Sequence, residues 1–234
     1  MMNILAEIAA AWGIPLTTAQ LDQFAIYADE LHSWNERVNL TAITDQEGIV
    51  ARHFLDSLRC VQSWGSVPQR LIDVGTGAGF PGLPLKIVYP EISLTLVESI
   101  EKKAAFLRHI ADLLKLEHVE VVVARAEAVG HDPSHREQYD VAVARAVANL
   151  RVLAEYCLPL CRVGGRFLAP KGSQSNDEIV RARTAIGQLG GRLLGVEPVD
   201  VPGIEQRVLV VIEKQKPTPA QFPRAVGVPA KKPL

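Results

Sequence analysis

The chain has 234 residues, 48% of them hydrophobic and 22% charged, a composition that excludes extensive disorder and suits one large domain core. Its formal net charge of −1 argues against a protein that holds bare nucleic acid over a wide footprint. The three cysteines have neither the number nor the spacing of a disulfide framework or a zinc site, so we expect no metal.

The first 66 residues predict a helical extension packed on the rest of the chain. A short amphipathic helix is expected over 3–12, and Thr17 or Thr18 caps a longer helix. The apolar face of this longer helix is expected to comprise Leu21, Phe24, Ala25, Ala28, Leu31 and Trp34. A third helix is predicted over 45–64. No basic segment precedes the first apolar run and no uncharged stretch reaches membrane-spanning length, so we expect a cytoplasmic protein without a membrane partner.

From Arg70 onward, predicted strands and helices alternate along the chain. The strands are expected at 71–74, 94–98, 119–123, 139–144 and 165–169. The helices are expected at 102–116, near 126, at 150–160 and at 176–189. This alternation is typical of a parallel sheet that is covered by helices on both faces.

The last two predicted strands follow a different pattern. Residues 192–199 and 207–213 are joined by a turn at Pro202-Gly203 without a helix between them, so they must run antiparallel. We therefore divide the chain into the helical extension (1–66), an α/β domain (67–216) and a basic, Pro-rich tail (217–234).

A glycine-rich segment, Asp73–Gly82, directly follows the first predicted strand. Glycines at such a strand end allow a cofactor to approach the backbone, and the next helix start offers unpaired amides. The spacing Gly77-x-Gly79-x-x-Gly82 matches a dinucleotide fingerprint, whereas Asp-x-Gly-x-Gly-x-Gly from Asp73 matches the methyltransferase form. A purely structural glycine turn is a third interpretation.

The second strand ends at Glu98, which lies 21 residues beyond Gly77. This is the spacing of a carboxylate that accepts both hydroxyls of a cofactor ribose, although a solvated cap for the next helix is the alternative. Both cofactor classes contain a ribose. S-adenosylmethionine is favoured because a single α/β run leaves no second domain for a hydride acceptor. In addition, Pro81 and Pro84 are unusual at the start of a pyrophosphate-binding helix.

A set of motifs extends over nearly the whole chain. They are Asn39–Ile43, Arg52–Leu58, Asp73–Gly82 with Leu83–Leu85, Arg125–Glu127, Ala144–Ala148, Pro170–Gly172, and Phe222–Arg224 with the tail to Leu234. Together they resemble the ribosomal RNA small subunit methyltransferase G family, formerly called glucose-inhibited division protein B. The one variation is Glu98, where some family members have Asp.

The resemblance implies a Rossmann-like, S-adenosylmethionine-dependent methyltransferase fold with a mostly parallel seven-stranded sheet and an antiparallel last strand. It implies methylation at N7 of one guanine in 16S rRNA, at position 527 of the standard numbering, within the small ribosomal subunit or an assembly intermediate. A different RNA or a small molecule is the alternative substrate. The residues expected to bind the cofactor are Asp73, Gly75, Gly77, Gly79, Phe80, Glu98, Ala126, Glu127 and Arg145.

Arg145 is also expected at the reacting centre, although an ion pair that holds the fourth strand is the alternative. Guanine N7 has a free lone pair, so positioning should matter more than general-base catalysis. Lys171 and Arg224 are candidate RNA contacts. His53 and Asp56 are interpreted as a hydrogen-bonded pair that fastens the helical extension, with an acid–base pair as the alternative.

Overall fold

A computed structural model describes residues 2–145, 148–172, 176–202, 204 and 206–234. Within them, one sheet contains seven strands. They are β1 (Arg70–Val74), β2 (Ser93–Glu98), β3 (Val119–Val123), β4 (Tyr139–Val143), β5 (Cys161–Gly172), β6 (Gly191–Val199) and β7 (Arg207–Lys214). Their spatial order is β3-β2-β1-β4-β5-β7-β6.

Strands β1 to β5 run parallel to one another, whereas β7 runs antiparallel to both β5 and β6. The predicted Rossmann-like α/β fold with its antiparallel last strand is therefore confirmed. Strand β5 is longer than predicted because its second half pairs with β7, and Lys171 consequently lies within the strand, opposite Val208. Gly203 in the predicted turn, and Ala146 and Val147 in one of the family motifs, lie outside the described residues.

The α-helices surround this sheet and precede it. They are α1 (Met2–Ala11), α2 (Thr18–Val38), α3 (Gln46–Gly48), α4 (Asp56–Leu58), α5 (Gly82–Val88), α6 (Glu101–Leu113), α7 (Ala126–Val129), α8 (Leu150–Cys157), α9 (Asn176–Gln188) and α10 (Val228–Lys231). None of these helices combines the length and the hydropathy that are needed to span a membrane. The described residues also contain no group of three or more His, Cys, Asp or Glu side chains that could hold a metal ion.

Helix α2 is capped by Thr17, one of the two threonines expected there, and begins at a capping box. The Thr17 hydroxyl accepts a hydrogen bond from the Gln20 amide, and the Gln20 side chain accepts one from the Thr17 amide. Phe24, Ala28 and Leu31 are buried as expected, whereas Leu21, Ala25 and Trp34 are only half-buried. Tyr27 is fully buried on this helix, although the apolar pattern did not include it.

The third predicted helix is helical from Gln46 to Ser63, but it is not one regular α-helix. A π-helical segment, Ile49–Leu55, joins α3 to α4, and a 3₁₀ turn, Arg59–Ser63, follows. π-Helical turns are rare and often occur at functional sites. Here the π-helical segment contains His53 and ends directly before Asp56.

The N-terminal helices and one face of the sheet share a single apolar cluster. It includes Leu5 of α1, Phe24 of α2, Phe54 of the π-helical segment and Leu168 of β5. The opposite face of the sheet packs against α8 and α9 in a second cluster. The helical extension is thereby held close to the carboxyl ends of the strands.

Candidate cofactor and target-base site

The loop between β1 and α5 contains two glycines that cannot be replaced by a larger residue without a clash or backbone strain. At Gly79, a Cβ atom would collide with the side chain of Leu83 and with the Tyr27 hydroxyl. At Gly77, where φ is +61°, an added Cβ would meet no atom within 4 Å. Gly79, with φ of +97°, is therefore required by its backbone conformation and by packing, whereas Gly77 is required by its backbone conformation alone and borders open space.

Asp73 ties this loop together from inside. Its Oδ2 atom accepts hydrogen bonds from the Thr76 hydroxyl at 2.7 Å and from the Gly82 amide at 2.9 Å. The side chain is fully buried, and burial raises the pKa of Asp73 to about 6. Its Oδ1 atom has no hydrogen-bond partner among the described residues.

A cavity of about 230 Å³ lies beyond the carboxyl ends of β1, β2 and β3. Open α/β sheets bind their ligands at this edge. Four of the predicted cofactor residues meet in its wall, namely Gly75, Glu98, Ala126 and Glu127. The other lining residues are Val74, Val97, Ser99, Ala124, Arg125, Ala148, Tyr156 and Ala230.

The Glu98 carboxylate connects two of the cavity's elements. Its Oε2 atom accepts a hydrogen bond from the Gly77 amide at 3.1 Å, and its Oε1 atom accepts one from the Ile100 amide at 2.8 Å. Glu98 supports the start of α6, but it is buried and lines the cavity, so it is not the solvated cap of the alternative interpretation. The sequence spacing between Gly77 and Glu98 corresponds to a direct contact.

Glu127, at the start of α7, is a second buried carboxylate in the cavity wall. Its Oε1 atom accepts a hydrogen bond from the amide of Gly227, which lies in the C-terminal tail. The neighbouring Tyr156 hydroxyl has its pKa raised to about 12 by burial and by Glu127. Sequence reasoning identified Glu127 but neither Tyr156 nor the tail residues, because these contacts join distant parts of the chain.

A second cluster surrounds Arg145, directly after β4. The guanidinium donates from Nη1 to Asp56 Oδ2 at 2.9 Å and to the Arg52 carbonyl at 2.8 Å. Its Nη2 atom donates to His53 Nδ1 at 2.9 Å. The side chains of Arg145 and Asp56 are only 10% and 1% exposed, so this is a buried ion pair. The prediction of a direct hydrogen bond between His53 and Asp56 is wrong. Arg145 lies between the two side chains and binds both.

The hydrogen bonds fix the charge state of His53. Because Nδ1 accepts from Arg145, the ring proton must lie on Nε2, which donates to the Thr41 hydroxyl at 2.9 Å. Burial and then the Arg145 charge lower the pKa of His53 to about 3. His53 is therefore a neutral, doubly hydrogen-bonded ring at physiological pH.

Aromatic stacking links this second cluster to the glycine loop. The Phe80 ring stacks on His53 with centroids 4.3 Å apart and on Tyr27 with centroids 5.3 Å apart. The Arg145 guanidinium lies 5.2 Å from the Phe80 centroid. Tyr27 also donates a hydrogen bond to the Ala78 carbonyl at 2.5 Å. Phe80 and Arg145 thus belong to this cluster. They were expected to line one pocket together with the other cofactor residues, but they are not part of the cavity wall.

The two expected RNA contacts are both engaged within the chain. The Lys171 ammonium lies 2.7 Å from Glu178 Oε1 and donates to the Ala148 carbonyl. The Arg224 guanidinium is bound in bidentate geometry by Glu155, whose side chain is fully buried. Neither side chain lies in the cavity wall.

A larger cavity, of about 410 Å³, lies at the opposite edge of the sheet. Its walls include Gln69, Asp140 and Arg162, which lie near the beginnings of β1, β4 and β5. The amino ends of parallel strands are not the edge where such sheets bind ligands. The smaller cavity beside Glu98 is therefore the candidate site.

Two solved structures with a similar fold carry the names of a methyltransferase and a transferase. An S-adenosylmethionine-dependent O-methyltransferase from Thermotoga maritima superposes with a TM-score of 0.54 at 15% identity, covering 81% of this chain and 72% of that chain. A putative transferase from Pyrococcus horikoshii gives a TM-score of 0.54 at 13% identity, covering 69% of this chain and 64% of that one. At these identities the similarity establishes the fold alone.

Sequence relatives are much closer and match end to end. The protein named ribosomal RNA small subunit methyltransferase G from Roseiflexus castenholzii is 65% identical over 233 residues, covering 100% of both chains. The protein of the same name from Chloroflexus aggregans is 54% identical and covers 99% of this chain and 98% of its own length. A family model described as rRNA small subunit methyltransferase G matches residues 20–207. The chain therefore belongs to the rRNA small subunit methyltransferase G family.

Proposed function

We propose that the protein transfers a methyl group from S-adenosylmethionine to N7 of a guanine in 16S rRNA, at position 527 of the standard numbering. The observation that carries this proposal is the position of Glu98, which lines a strand-end cavity and accepts a hydrogen bond from the Gly77 amide of the glycine loop. The family membership of the chain and the names of its relatives support an rRNA substrate.

The residues of the cavity fit the proposed cofactor. Open space at Gly77 leaves room beside the backbone, and Glu98 retains acceptor positions for ribose hydroxyls. Asp73 lies beneath the loop, outside the cavity wall, and supports the loop through Thr76 and Gly82. The cavity is smaller than the range of about 300–1,000 Å³ for sites that enclose a whole ligand, so it suits the adenosine part.

In this proposal the glycine loop holds the amino-acid part of the cofactor, Glu98 holds its ribose, and Ala126 and Glu127 contact its adenine. Bound S-adenosylmethionine would supply an electrophilic methyl group on its sulfonium. Guanine N7 carries no proton, so the protein must orient the base and exclude water but does not need a general base. The neutral His53, with both ring nitrogens hydrogen-bonded, is consistent with a positioning role.

Arg145 is the residue that we propose beside the target base. Three hydrogen bonds occupy part of its guanidinium, and the remaining donors are suited to guanine O6 or a phosphate. Lys171 and Arg224 are weaker candidates for RNA contact, since each would have to exchange a carboxylate, Glu178 or Glu155, for a phosphate.

We propose that the substrate is the small ribosomal subunit or an assembly intermediate, in the cytoplasm. A chain with a net charge of −1 has little general attraction for bare RNA, so a folded particle should be methylated better than a short hairpin. Small subunits from cells lacking the protein, incubated with labelled S-adenosylmethionine, should acquire label on one guanine of 16S rRNA. Label on another RNA, or on no RNA, would contradict the proposed substrate.

A further inference from the structure

The C-terminal tail, residues 217–234, supplies part of the cofactor cavity. Ala230 of α10 lies in the cavity wall, and the Gly227 amide binds the buried Glu127 carboxylate. The matching family segment ends at residue 207, so the tail lies beyond it. We propose that the tail is a fixed wall of the adenosine site, with Ala230 and Gly227 as its cofactor-positioning residues. This inference rests on the proposed function.

The tail is anchored where it leaves β7. Lys214 is fully buried and donates a hydrogen bond to the Thr218 hydroxyl at 2.7 Å, while Glu137 accepts one from the Thr218 amide at 2.7 Å. Arg136 donates to the carbonyls of Thr218 and Phe222. These contacts direct the chain back across the sheet instead of into solvent.

A buried ion pair anchors the middle of the tail. Glu155 of α8 accepts hydrogen bonds from the backbone amide, Nε and Nη2 of Arg224, at 2.8, 2.9 and 2.6 Å. The Glu155 side chain is 0% exposed, so breaking this contact would leave a charge buried without a partner. The position of Arg224 is therefore fixed, and α10 begins only four residues later.

The end of the tail is held as well. The Leu234 carbonyl accepts a hydrogen bond from Arg151 at 2.9 Å, and Leu234 packs against the apolar cluster that contains α8. Because the chain is held on both sides of α10, Ala230 is kept in the wall of the cavity that Gly75 and Glu98 also line. The small side chain of Ala230 leaves the space that an adenosine would need.

If the tail is a fixed wall of the site, a large side chain at Ala230 should weaken cofactor binding. A tail that lies in solvent would show no such effect. Ala230→Trp should fill the cavity and weaken the binding of S-adenosylhomocysteine at least tenfold, measured by isothermal titration calorimetry on the full chain. Ala230→Met, whose side chain is flexible, should give a smaller loss. Ala225→Trp is the matched control, since Ala225, like Ala230, is an exposed alanine of the tail but lies outside the cavity wall, and the affinity of this variant should stay within twofold of wild type.

Thermal unfolding without ligand distinguishes a blocked site from a damaged fold, and the two tryptophan variants should melt at similar temperatures. Equal affinity for Ala230→Trp, Ala225→Trp and wild type would overturn the proposed wall but leave the proposed function intact. Equal losses in both variants would also overturn it, because the effect would then be general to the tail. Folded wild-type protein that binds no S-adenosylhomocysteine would overturn the proposed function, and this inference with it.

Discussion

At the scale of single residues, Arg145 combines a structural and a proposed functional role. It is the main partner of the buried Asp56 carboxylate, since Arg207 lies further away at 3.5 Å. Removing one member of a buried ion pair costs about 3–5 kcal/mol because the other charge is left uncompensated. A loss of activity on replacing Arg145 is therefore ambiguous until the effect on stability is separated.

A double variant separates the two roles of Arg145. We expect Arg145→Ala to lower the free energy of unfolding by about 3–5 kcal/mol, measured by urea denaturation. Arg145→Ala combined with Asp56→Asn should recover much of this stability, because the amide needs no counter-charge, while methylation of small subunits stays low. Recovery of methylation together with stability would show that Arg145 acts only through the fold.

His53 and Asp73 have pKa shifts that act on stability in opposite directions. The pKa of His53 is lowered from 6.5 to about 3, so the unfolded chain binds a proton there that the folded chain excludes, and acidification destabilises the fold. The pKa of Asp73 is raised from 3.8 to about 6, so acidification below that value stabilises the fold. In the wild-type protein the two effects largely cancel between these limits.

Replacing His53 should expose the opposing effect of Asp73. Between about pH 7 and about pH 4, His53→Gln should gain up to about 3 kcal/mol of stability relative to wild type, because glutamine does not titrate. The measurement is urea unfolding of both proteins across this pH range. A constant stability difference between them would mean that His53 titrates normally in the folded protein.

At the scale of elements, the N-terminal helices support the glycine loop directly. Tyr27 of α2 donates to the Ala78 carbonyl and stacks on Phe80, and the π-helical segment adds His53 to the same stack. The conformation of the loop therefore depends on α2 as well as on β1 and α5. This explains why a helical segment precedes the sheet in a protein whose cavity lies beyond the strand ends.

Tyr27→Phe tests this support with little change in volume. Loss of the hydroxyl leaves the Ala78 carbonyl without this partner, so we expect a loss of about 1–3 kcal/mol in stability and weaker binding of S-adenosylhomocysteine. Tyr139→Phe is the control, since its buried hydroxyl bonds Thr95 and His135 away from the cavity. A similar loss of affinity in both variants would contradict a specific role for α2.

At the scale of the whole molecule, the sequence predicted the sheet well because its signals are local. Apolar runs located each of the seven described strands, and the spacing of Gly77 and Glu98 was informative because both residues lie at or just beyond the ends of two neighbouring parallel strands. The turn chemistry of Thr17 likewise fixed the start of α2.

Contacts between segments that are distant in the chain could not be predicted from the sequence. The pairing of Arg145 with Asp56 spans 89 residues, and that of Gly227 with Glu127 spans 100, and neither leaves a periodic signal. The π-helical segment was missed because its residues fit an α-helical pattern equally well. Charge composition suggested a basic tail with Arg224 as a candidate RNA contact, whereas Arg224 is bound by Glu155 inside the fold.

The proposed function requires that a cofactor binds in the cavity beside Glu98. Titration calorimetry of S-adenosylhomocysteine into folded wild-type protein and into Glu98→Gln tests this most directly. We predict one binding site in the wild type and at least tenfold weaker binding in the variant, since hydrogen bonds to a charged group contribute about 1.5–3 kcal/mol. No heat of binding to the wild-type protein, or equal affinity in the two proteins, would contradict the account.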